Sequence, residues 1–220
     1  MAPTAGSVSV LGTEVTKPPR EVGVVFQDYS RSLMPWLSVR KNVEFPIGRS
    51  ARRDPRKRRR VDAALESVGL ADVPSRYPWQ LSGGMQQRVA IARALAYEPS
   101  ILIMDEPFAS VDAQTRFELE DLVLRVRDEF GVTILFVTHD IDEAVYLSSR
   151  IVVLGGRPTG VRSEIVNALP WPRSQTTTRD LPEFAHLRTE LYRLLVKQPP
   201  GAPARPDRAG VDGSPTLTHP

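Results

Sequence analysis

Short apolar runs recur along the chain and are separated by stretches whose apolar residues have helical spacing. The runs are residues 8–10, 22–26, 101–104, 132–137 and 151–154, and each is typical of a β-strand. The uninterrupted run at 101–104, Ile-Leu-Ile-Met, indicates a strand that is buried on both faces of a parallel sheet. We expect the runs at 8–10, 22–26 and 132–137 to be buried strands as well.

The stretches between these runs have the apolar periodicity of amphipathic helices. The first helix is predicted to begin with Asp54 as its N-cap and Pro55 at its first position, and to end at Gly69. Ser82 is the predicted cap of the second helix. The inward-facing positions are Val61, Leu65 and Val68, then Met85, Val89, Ala92 and Ala96, then Leu119, Leu122 and Val126 within 113–129, and finally Phe184, Leu187, Leu191, Leu194 and Leu195 within 182–196. Strands that alternate with helices predict an α/β fold with a parallel sheet.

Composition narrows the class of protein. The 220 residues suit one α/β domain, and 41% of them are hydrophobic, which is enough for a substantial core. There are no cysteines, so disulfides and thiolate metal sites are excluded. No apolar run approaches the roughly 20 residues that span a bilayer. We expect a soluble protein that meets a membrane only through a partner, with a disordered, proline-rich tail at 198–220.

The net charge of +3 is local in origin. Residues 49–60 hold eight Lys or Arg and one Asp, and the rest of the chain has 21 basic and 25 acidic residues. A nucleic-acid-binding protein is expected to have a broad basic face. A solvated, arginine-rich helix face explains the run, and we expect no nucleic-acid partner, although DNA binding through residues 49–60 is the alternative.

A glycine-rich helix start is the first candidate for chemistry. In Leu-Ser-Gly-Gly-Met-Gln-Gln, residues 81–87, two glycines stand beside the predicted cap Ser82, so a ligand can approach the backbone closely. The positive end of a helix also suits a phosphate. Taken alone, the motif is more typical of an ordinary glycine-rich helix start.

Polar residues at predicted strand ends are the second candidate. Asp105 and Glu106 follow a buried strand, the place where α/β folds bind ligands. Asp105 can hold Mg²⁺ and Glu106 can polarise an attacking water, but an acidic pair can also be a cap or a solvated loop. Asp112 is either a functional loop residue or the N-cap of the next helix. His139, in Thr-His-Asp after residues 132–137, has both a structural and a catalytic interpretation.

Taken together, the order and spacing of these motifs closely resemble those of ABC-transporter ATPases, from Gly6 to about Lys197. In that family LSGGMQQ is the signature, ILIMDEP the Walker B strand, SVD (110–112) the D-loop, THD (138–140) the switch-histidine segment and Phe26-Gln27 the Q-loop. The resemblance implies a P-loop NTPase-like (RecA-like) sheet core within residues 1–197, with an inserted helical signature subdomain at about 30–97.

The resemblance also implies a mechanism and partners. Two such subunits pair head to tail, so that the signature of one faces the ATP and Mg²⁺ held by the other, and closure drives a membrane permease. The implied location is the cytoplasmic face of the membrane, with a substrate-binding protein as an indirect partner. The residues carried over are Glu106, His139 and Gln27 for catalysis, Ser82, Gly83, Gly84, Gln86 and Asp112 for nucleotide binding, and Asp105 and Gln27 for the metal.

Residues 30–50, predicted to be irregular, carry a finer resemblance. Residues 33–39 with Asn42-Val43, followed by DEPFASVDAQTR, look like the nitrate, sulfonate and taurine importer ATPases. That likeness makes Leu33, Trp36 and Leu37 an apolar docking surface for the permease. Packing of Trp36 inside the helical subdomain is the alternative.

One family motif has no counterpart in the sequence. A Walker A loop, G-x-x-x-x-G-K-[ST], should precede residues 8–10, yet none of the four lysines follows a glycine. We therefore expect a chain truncated at its front end, either by a mis-called start or in the gene. The alternative to an active ATPase is a non-catalytic partner that donates only its signature to a heterodimer.

Overall fold

Three parallel strands form the central sheet. The computed structural model describes residues 5–48, 54–156 and 158–196. The strands are β1 (Ser9–Val10), β2 (Thr13–Glu14), β3 (Val22–Val25), β4 (Ile101–Asp105), β5 (Thr133–Val137), β6 (Arg150–Gly155) and β7 (Gly160–Val166). The central sheet has the order β3-β4-β5, and β1-β2 and β6-β7 are separate antiparallel pairs. The sequence analysis predicted the parallel sheet but not β7.

The central sheet is covered on only one face within the described residues. Leu102 and Met104 of β4 lie in the core with Val25 of β3, whereas alternate side chains are exposed, including Leu135 at 55%. The prediction that 101–104 is buried on both faces is therefore wrong, and so is the prediction that 22–26 and 132–137 are buried throughout, since Val24, Phe26 and Val137 are also exposed. Successive side chains of a strand point to opposite faces of the sheet, so the exposed set shares the face that no described element covers.

The predicted buried strand at 8–10 is also wrong in its burial. It forms the β1-β2 hairpin, which is largely exposed, with Val8 open to solvent. A two-stranded hairpin with no sheet packed on it has no apolar face to bury.

Seven α-helices are described: α1 (Tyr29–Ser32), α2 (Val39–Glu44), α3 (Pro55–Ser67), α4 (Gly83–Leu95), α5 (Ala113–Phe130), α6 (Ile141–Leu147) and α7 (Pro182–Val196). The predicted caps are confirmed, because Asp54 accepts a hydrogen bond from the Arg56 amide and Ser82 accepts one from the Met85 amide. The stripe at Val61, Leu65 and Val68 lies in the core.

The prediction that residues 30–50 are irregular is wrong in part, because α1, α2 and a 3-10 turn at Phe45–Ile47 are helical. Ser38 caps α2, and the fully buried Asn42 explains how so short a helix is held. The Asn42 amide nitrogen lies 3.0–3.2 Å from the carbonyl oxygens of Met34, Leu37 and Ser38, and its carbonyl accepts from the Met34 amide. These bonds tie α2 to the turn that precedes it, and such contacts stabilise a helix that is too short to persist alone.

A buried polar cluster ties the segment before α7 to α5. Glu120 is 1% exposed, and its Oε2 accepts from the Arg179 guanidinium at 2.7 Å and from the Gln175 amide at 2.9 Å. Desolvation raises the pKa of Glu120, which the bonds from Gln175 and Arg179 offset in part. α7 matches its predicted range and packs against α6, whereas the predicted tail at 198–220 lies outside the described residues.

Candidate active site

The carboxyl ends of the three parallel strands bring Gln27, Glu106 and His139 together. Val25, Met104 and Phe136 lie in one row across the sheet, so the loops that follow these strands leave from the same edge. Glu106 comes directly after β4, and Gln27 and His139 each come two residues after their strands. Polar groups at the carboxyl ends of parallel strands are where α/β folds bind ligands.

The carboxylate of Glu106 is the meeting point of this cluster. Its Oε2 accepts a hydrogen bond from the Gln27 amide at 3.0 Å and lies 3.2 Å from His139 Nδ1. The Glu106 side chain is 30% exposed and that of His139 is 74% exposed. The site is therefore open to a ligand, and one carboxylate oxygen is already held by two side chains.

The backbone at Glu106 is in the left-handed region, with φ +41°. Such a conformation costs a non-glycine residue on the order of 1–3 kcal/mol and is concentrated at functional sites. A hydrogen bond from the Glu106 amide to the Val137 carbonyl, 2.9 Å long, ties this residue to the end of β5. The fold thus holds the Glu106 carboxylate beside His139 at a local energetic cost.

Asp105 is the second carboxylate at this edge. It ends β4 opposite Val137 and is exposed. Within the residues that the structure describes, no group of three or more His, Cys, Asp or Glu could hold a metal ion. Mg²⁺ commonly takes one or two protein carboxylates together with substrate phosphates and water. Asp105 therefore fits an ion that arrives with a phosphate-bearing ligand.

The signature segment lies at the N-terminus of α4. Ser82 is exposed and Gly83 half-buried, so both offer backbone to a ligand, and the Gln86 amide donates to the Leu81 carbonyl. Gly84 is different, because it is buried and a Cβ there would lie 2.3 Å from Thr115 Cγ2. Its lack of a side chain serves close packing on α5.

Asp112 is the N-cap of α5, as one of the two sequence interpretations held. It accepts from the Thr115 amide at 2.9 Å and from the Thr115 hydroxyl at 2.7 Å. These bonds, the amide bond first, lower the pKa of Asp112. Thr115 thus contacts both Asp112 and Gly84, which places the D-loop beside the signature helix of the same chain.

The structure does not join the signature segment to Glu106. Among the described residues, no hydrogen bond or ion pair links 81–87 to Gln27, Glu106 or His139. Sequence reasoning also missed Arg116, whose guanidinium lies 3.1 Å from the carboxylate of Asp140. The sequence did contain a signal for Arg116: it lies four residues after the cap Asp112 and so on the same side of α5.

Comparison with known proteins agrees with this geometry. A family model described as ABC transporter matches residues 1–109. An ATP-binding protein of Brucella abortus biovar 1 is 43% identical over 200 residues, covering 91% of this chain and 76% of that protein. The nitrate import protein NrtC and the bicarbonate transport protein CmpC, both of Synechococcus elongatus, are 40% and 42% identical over 89% of this chain and 30% of each relative.

Two solved structures resemble the fold. The ATP-binding cassette MJ0796, a dimer in a post-hydrolysis state bound to ADP and Pi, matches with TM-score 0.57 and 35% identity over 68% of this chain and 69% of that chain. CbiO1 from Clostridium perfringens, part of the transporter complex cbiONQ, matches with TM-score 0.67 and 26% identity over 90% of this chain and 75% of that chain.

The fold and the strand-end site define a P-loop NTPase-type α/β protein. More particularly, the chain belongs to the family of ATP-binding ATPase subunits of ABC transporters. No helix in the described ranges is both long and apolar enough to cross a membrane.

Proposed function

We propose that this chain hydrolyses ATP to energise an importer of a small anion or a sulfonate. The observation that carries the hydrolytic part is the convergence of Gln27 and His139 on one oxygen of Glu106. A carboxylate oriented in this way is suited to accept a proton from an attacking water. The ATP itself is the ligand of the family to which the chain belongs.

Each strand-end side chain has a separate proposed role. Glu106 is the general base, and Gln27 orients it while keeping its own carbonyl oxygen available to a hydrated metal ion. His139 faces Glu106 through Nδ1, which leaves Nε2 available to the γ-phosphate. Asp105 holds the Mg²⁺ that neutralises charge on the phosphates when it is bound.

The signature segment is proposed to serve the nucleotide of a second ATPase subunit. Ser82 and Gly83 present backbone at the positive end of α4, which favours an anion. Gln86 and Asp112 flank that surface, whereas the buried Gly84 supports it through its packing on Thr115. The dimeric state of MJ0796 supports a paired arrangement.

Exposed aromatic rings form the proposed docking surface for a permease. Trp36 is 70% exposed and Trp79 71% exposed, with Trp79 stacked on Tyr77. The two tryptophans flank one junction, since the Val39 amide donates to the Arg76 carbonyl at 2.7 Å. The exposure of Trp36 excludes its packing inside the subdomain.

The prediction that Leu33 belongs to the docking surface is wrong. Its aliphatic side chain is buried in the core among the helices and cannot contact a partner.

Relatives support the class of cargo. NrtC is named for nitrate import and CmpC for bicarbonate transport, and both cargoes are small oxyanions. Uptake of labelled nitrate, bicarbonate and taurine by cells of the source organism tests this part. We expect replacement of the gene by the E106Q allele to abolish uptake of one of these three compounds; unchanged uptake of all three contradicts the proposed cargo class.

A second candidate function is non-catalytic. Among the described residues the signature has no hydrogen bond to Gln27, Glu106 or His139, which supports a chain that donates Ser82 and Gly83 to a site whose phosphate loop belongs to another subunit. Titration of the isolated full chain with Mg-ATP separates the two candidates. Saturable binding supports the catalytic role, and absence of binding supports the non-catalytic one.

The catalytic role is tested further by phosphate release. We expect E106Q to lower the turnover of Mg-ATP by about 10²–10⁴-fold, the usual contribution of a general base, with nucleotide binding retained. E129Q, which neutralises an exposed glutamate on α5, is the matched control and should turn over like the parent chain. Equal turnover by E106Q and E129Q would contradict the assignment of Glu106 as the general base.

A further inference from the structure

An arginine on α5 bridges two acidic residues of the loop and helix that follow His139. Arg116 Nη1 lies 3.1 Å from Asp140 Oδ2, and its Nε lies 3.7 Å from Glu143 Oε1. Glu143 is buried, and Arg116 and Asp140 are both partly buried. An ion pair in such a setting is more persistent than one between fully solvated side chains.

The acids that Arg116 contacts fix the backbone on both sides of His139. Asp140 Oδ1 accepts from the amides of Asp142 and Glu143 at 2.8 and 3.2 Å. On the other side, Thr138 Oγ1 accepts from the Asp140 amide at 2.9 Å and donates to Glu143 at 2.6 Å. The residues before and after His139 are thus held by one network that ends on Arg116.

His139 itself has little packing to hold it. Its side chain is 74% exposed and makes a polar contact with Glu106. Its position is consequently set by its backbone, which the Thr138 and Asp140 bonds define. Any change at Arg116 should therefore reach the imidazole through that backbone.

Arg116 also connects this loop to the D-loop. Its amide donates to the Asp112 carbonyl at 2.9 Å in the first turn of α5, and Thr115, one residue earlier, bonds Asp112 and touches the signature helix at Gly84. The first turn of α5 is thus the element that contacts the D-loop, the signature and the histidine loop.

We propose that Arg116 is a positioning residue that couples the D-loop to His139 and so sets the imidazole against Glu106. The inference rests on the proposed roles of Glu106 and His139. Other charged groups near the network are Glu120, which pairs with Arg179, and Asp142, 3.8 Å from the Arg179 guanidinium. In the described part of the chain, Asp140 and Glu143 form their ion pairs with Arg116.

Histidine resonances of the full-length chain test this coupling without nucleotide turnover. The sequence has three histidines, so H139Q identifies the ring signal of His139. We expect E106Q to shift that signal in the parent chain. In R116A the signal should move, and its response to E106Q should be lost. R116K, which keeps the charge without the planar fork, should restore part of the response.

Amide exchange supplies a second readout. Loss of a charge-assisted hydrogen-bonding partner should speed exchange at the Asp142 and Glu143 amides by about tenfold in R116A. R125A removes an exposed arginine from the same helix and should leave both exchange and the His139 signal unchanged. If R116A does not fold, R116K is judged by the same measurements.

The outcomes separate the two levels of inference. If E106Q leaves the His139 signal of the parent chain unmoved, the proposed site is wrong. If E106Q shifts that signal equally in the parent chain, R116A and R116K, the site stands and the positioning role of Arg116 is overturned.

Discussion

Single residues at this site combine proposed ligand-facing roles with packing roles. Glu106 adopts a left-handed backbone so that its carboxylate meets Gln27 and His139. Asp112 is a helix cap as well as a D-loop residue. Gly84 belongs to the signature yet is buried against Thr115. Motif membership alone therefore does not say which of these residues face the nucleotide.

Gly84→Ala tests the packing role of the signature glycine. Alanine is favoured over glycine inside a helix by about 1 kcal/mol, but its Cβ would lie 2.3 Å from Thr115 Cγ2. The Thr115 hydroxyl is bonded to Asp112, which resists rotation of the side chain. We expect the free energy of unfolding to fall by about 1–3 kcal/mol, measured by urea denaturation.

Thr115→Ser removes the clashing methyl group and supplies the control. The G84A/T115S chain should recover most of the stability that G84A loses, relative to T115S alone. A G84A chain as stable as the parent would show that Gly84 is not needed for this contact.

Helix-cap residues were predictable from the sequence, whereas close contacts between side chains distant in sequence were not. Asp54, Ser82 and Asp112 stand before apolar periodic stretches, and side-chain bonds to nearby amides are local chemistry that sequence reveals. The contact of Gly84 with Thr115 and the burial of Leu33 depend on elements distant in sequence. No local pattern encodes such contacts.

Among the elements, the segment before α7 is fixed to α5 by the buried Glu120. Removal of one partner from a buried ion pair leaves an uncompensated charge and is expected to cost about 3–5 kcal/mol. R179A should therefore lower the free energy of unfolding near neutral pH by an amount of this order. R125A, an exposed arginine of α5, should change it little.

The loss in R179A should depend on pH. Burial already raises the pKa of Glu120 in the folded state, and Arg179 opposes that rise, so R179A should raise this pKa further. A raised folded-state pKa makes the folded state lose stability as pH rises above the unfolded value of about 4.3. The deficit of R179A should shrink towards pH 4, and E120Q in the R179A background should remove most of its pH dependence.

A deficit of R179A that is the same at pH 4 and pH 8 would contradict the role of Glu120 ionisation. Chemical denaturation monitored by tryptophan fluorescence at each pH gives the comparison.

Long periodic elements were predictable, and short ones were not. α3, α4, α5 and α7 carry repeated apolar positions, and the structure confirms them. α2 has six residues, and its formation depends on the buried Asn42 amide. The burial of β5 was predicted wrongly because an apolar run such as Thr-Ile-Leu-Phe-Val does not reveal whether one or both faces of its sheet are covered.

At the scale of the whole molecule, the surface bearing Trp36 and Trp79 should bind the permease. Exposed aromatic side chains commonly dominate the binding energy of interfaces. We expect the W36A/W79A chain to lose co-purification with its membrane permease while its thermal unfolding stays near that of the parent. V166A changes an equally exposed apolar residue on β7 and should co-purify normally; retention by W36A/W79A would place the interface elsewhere.

A site shared between two subunits predicts that two inactive variants regain activity when they are mixed. If Glu106 of one subunit and Ser82 of its partner serve the same ATP, E106Q and S82R each inactivate both sites of their own dimer. A mixed dimer contains one site with both residues intact. The two defects should therefore complement each other only when the chains are combined.

Phosphate release from Mg-ATP by the full-length E106Q and S82R chains, assayed separately and as an equal mixture, is the most direct measurement. Random pairing makes half of the dimers mixed, with one of two sites intact, so the mixture should reach about a quarter of parental turnover. Each variant alone should be inactive. A mixture no more active than its components, beside an active parent chain, would contradict a shared site built from Glu106 and the signature.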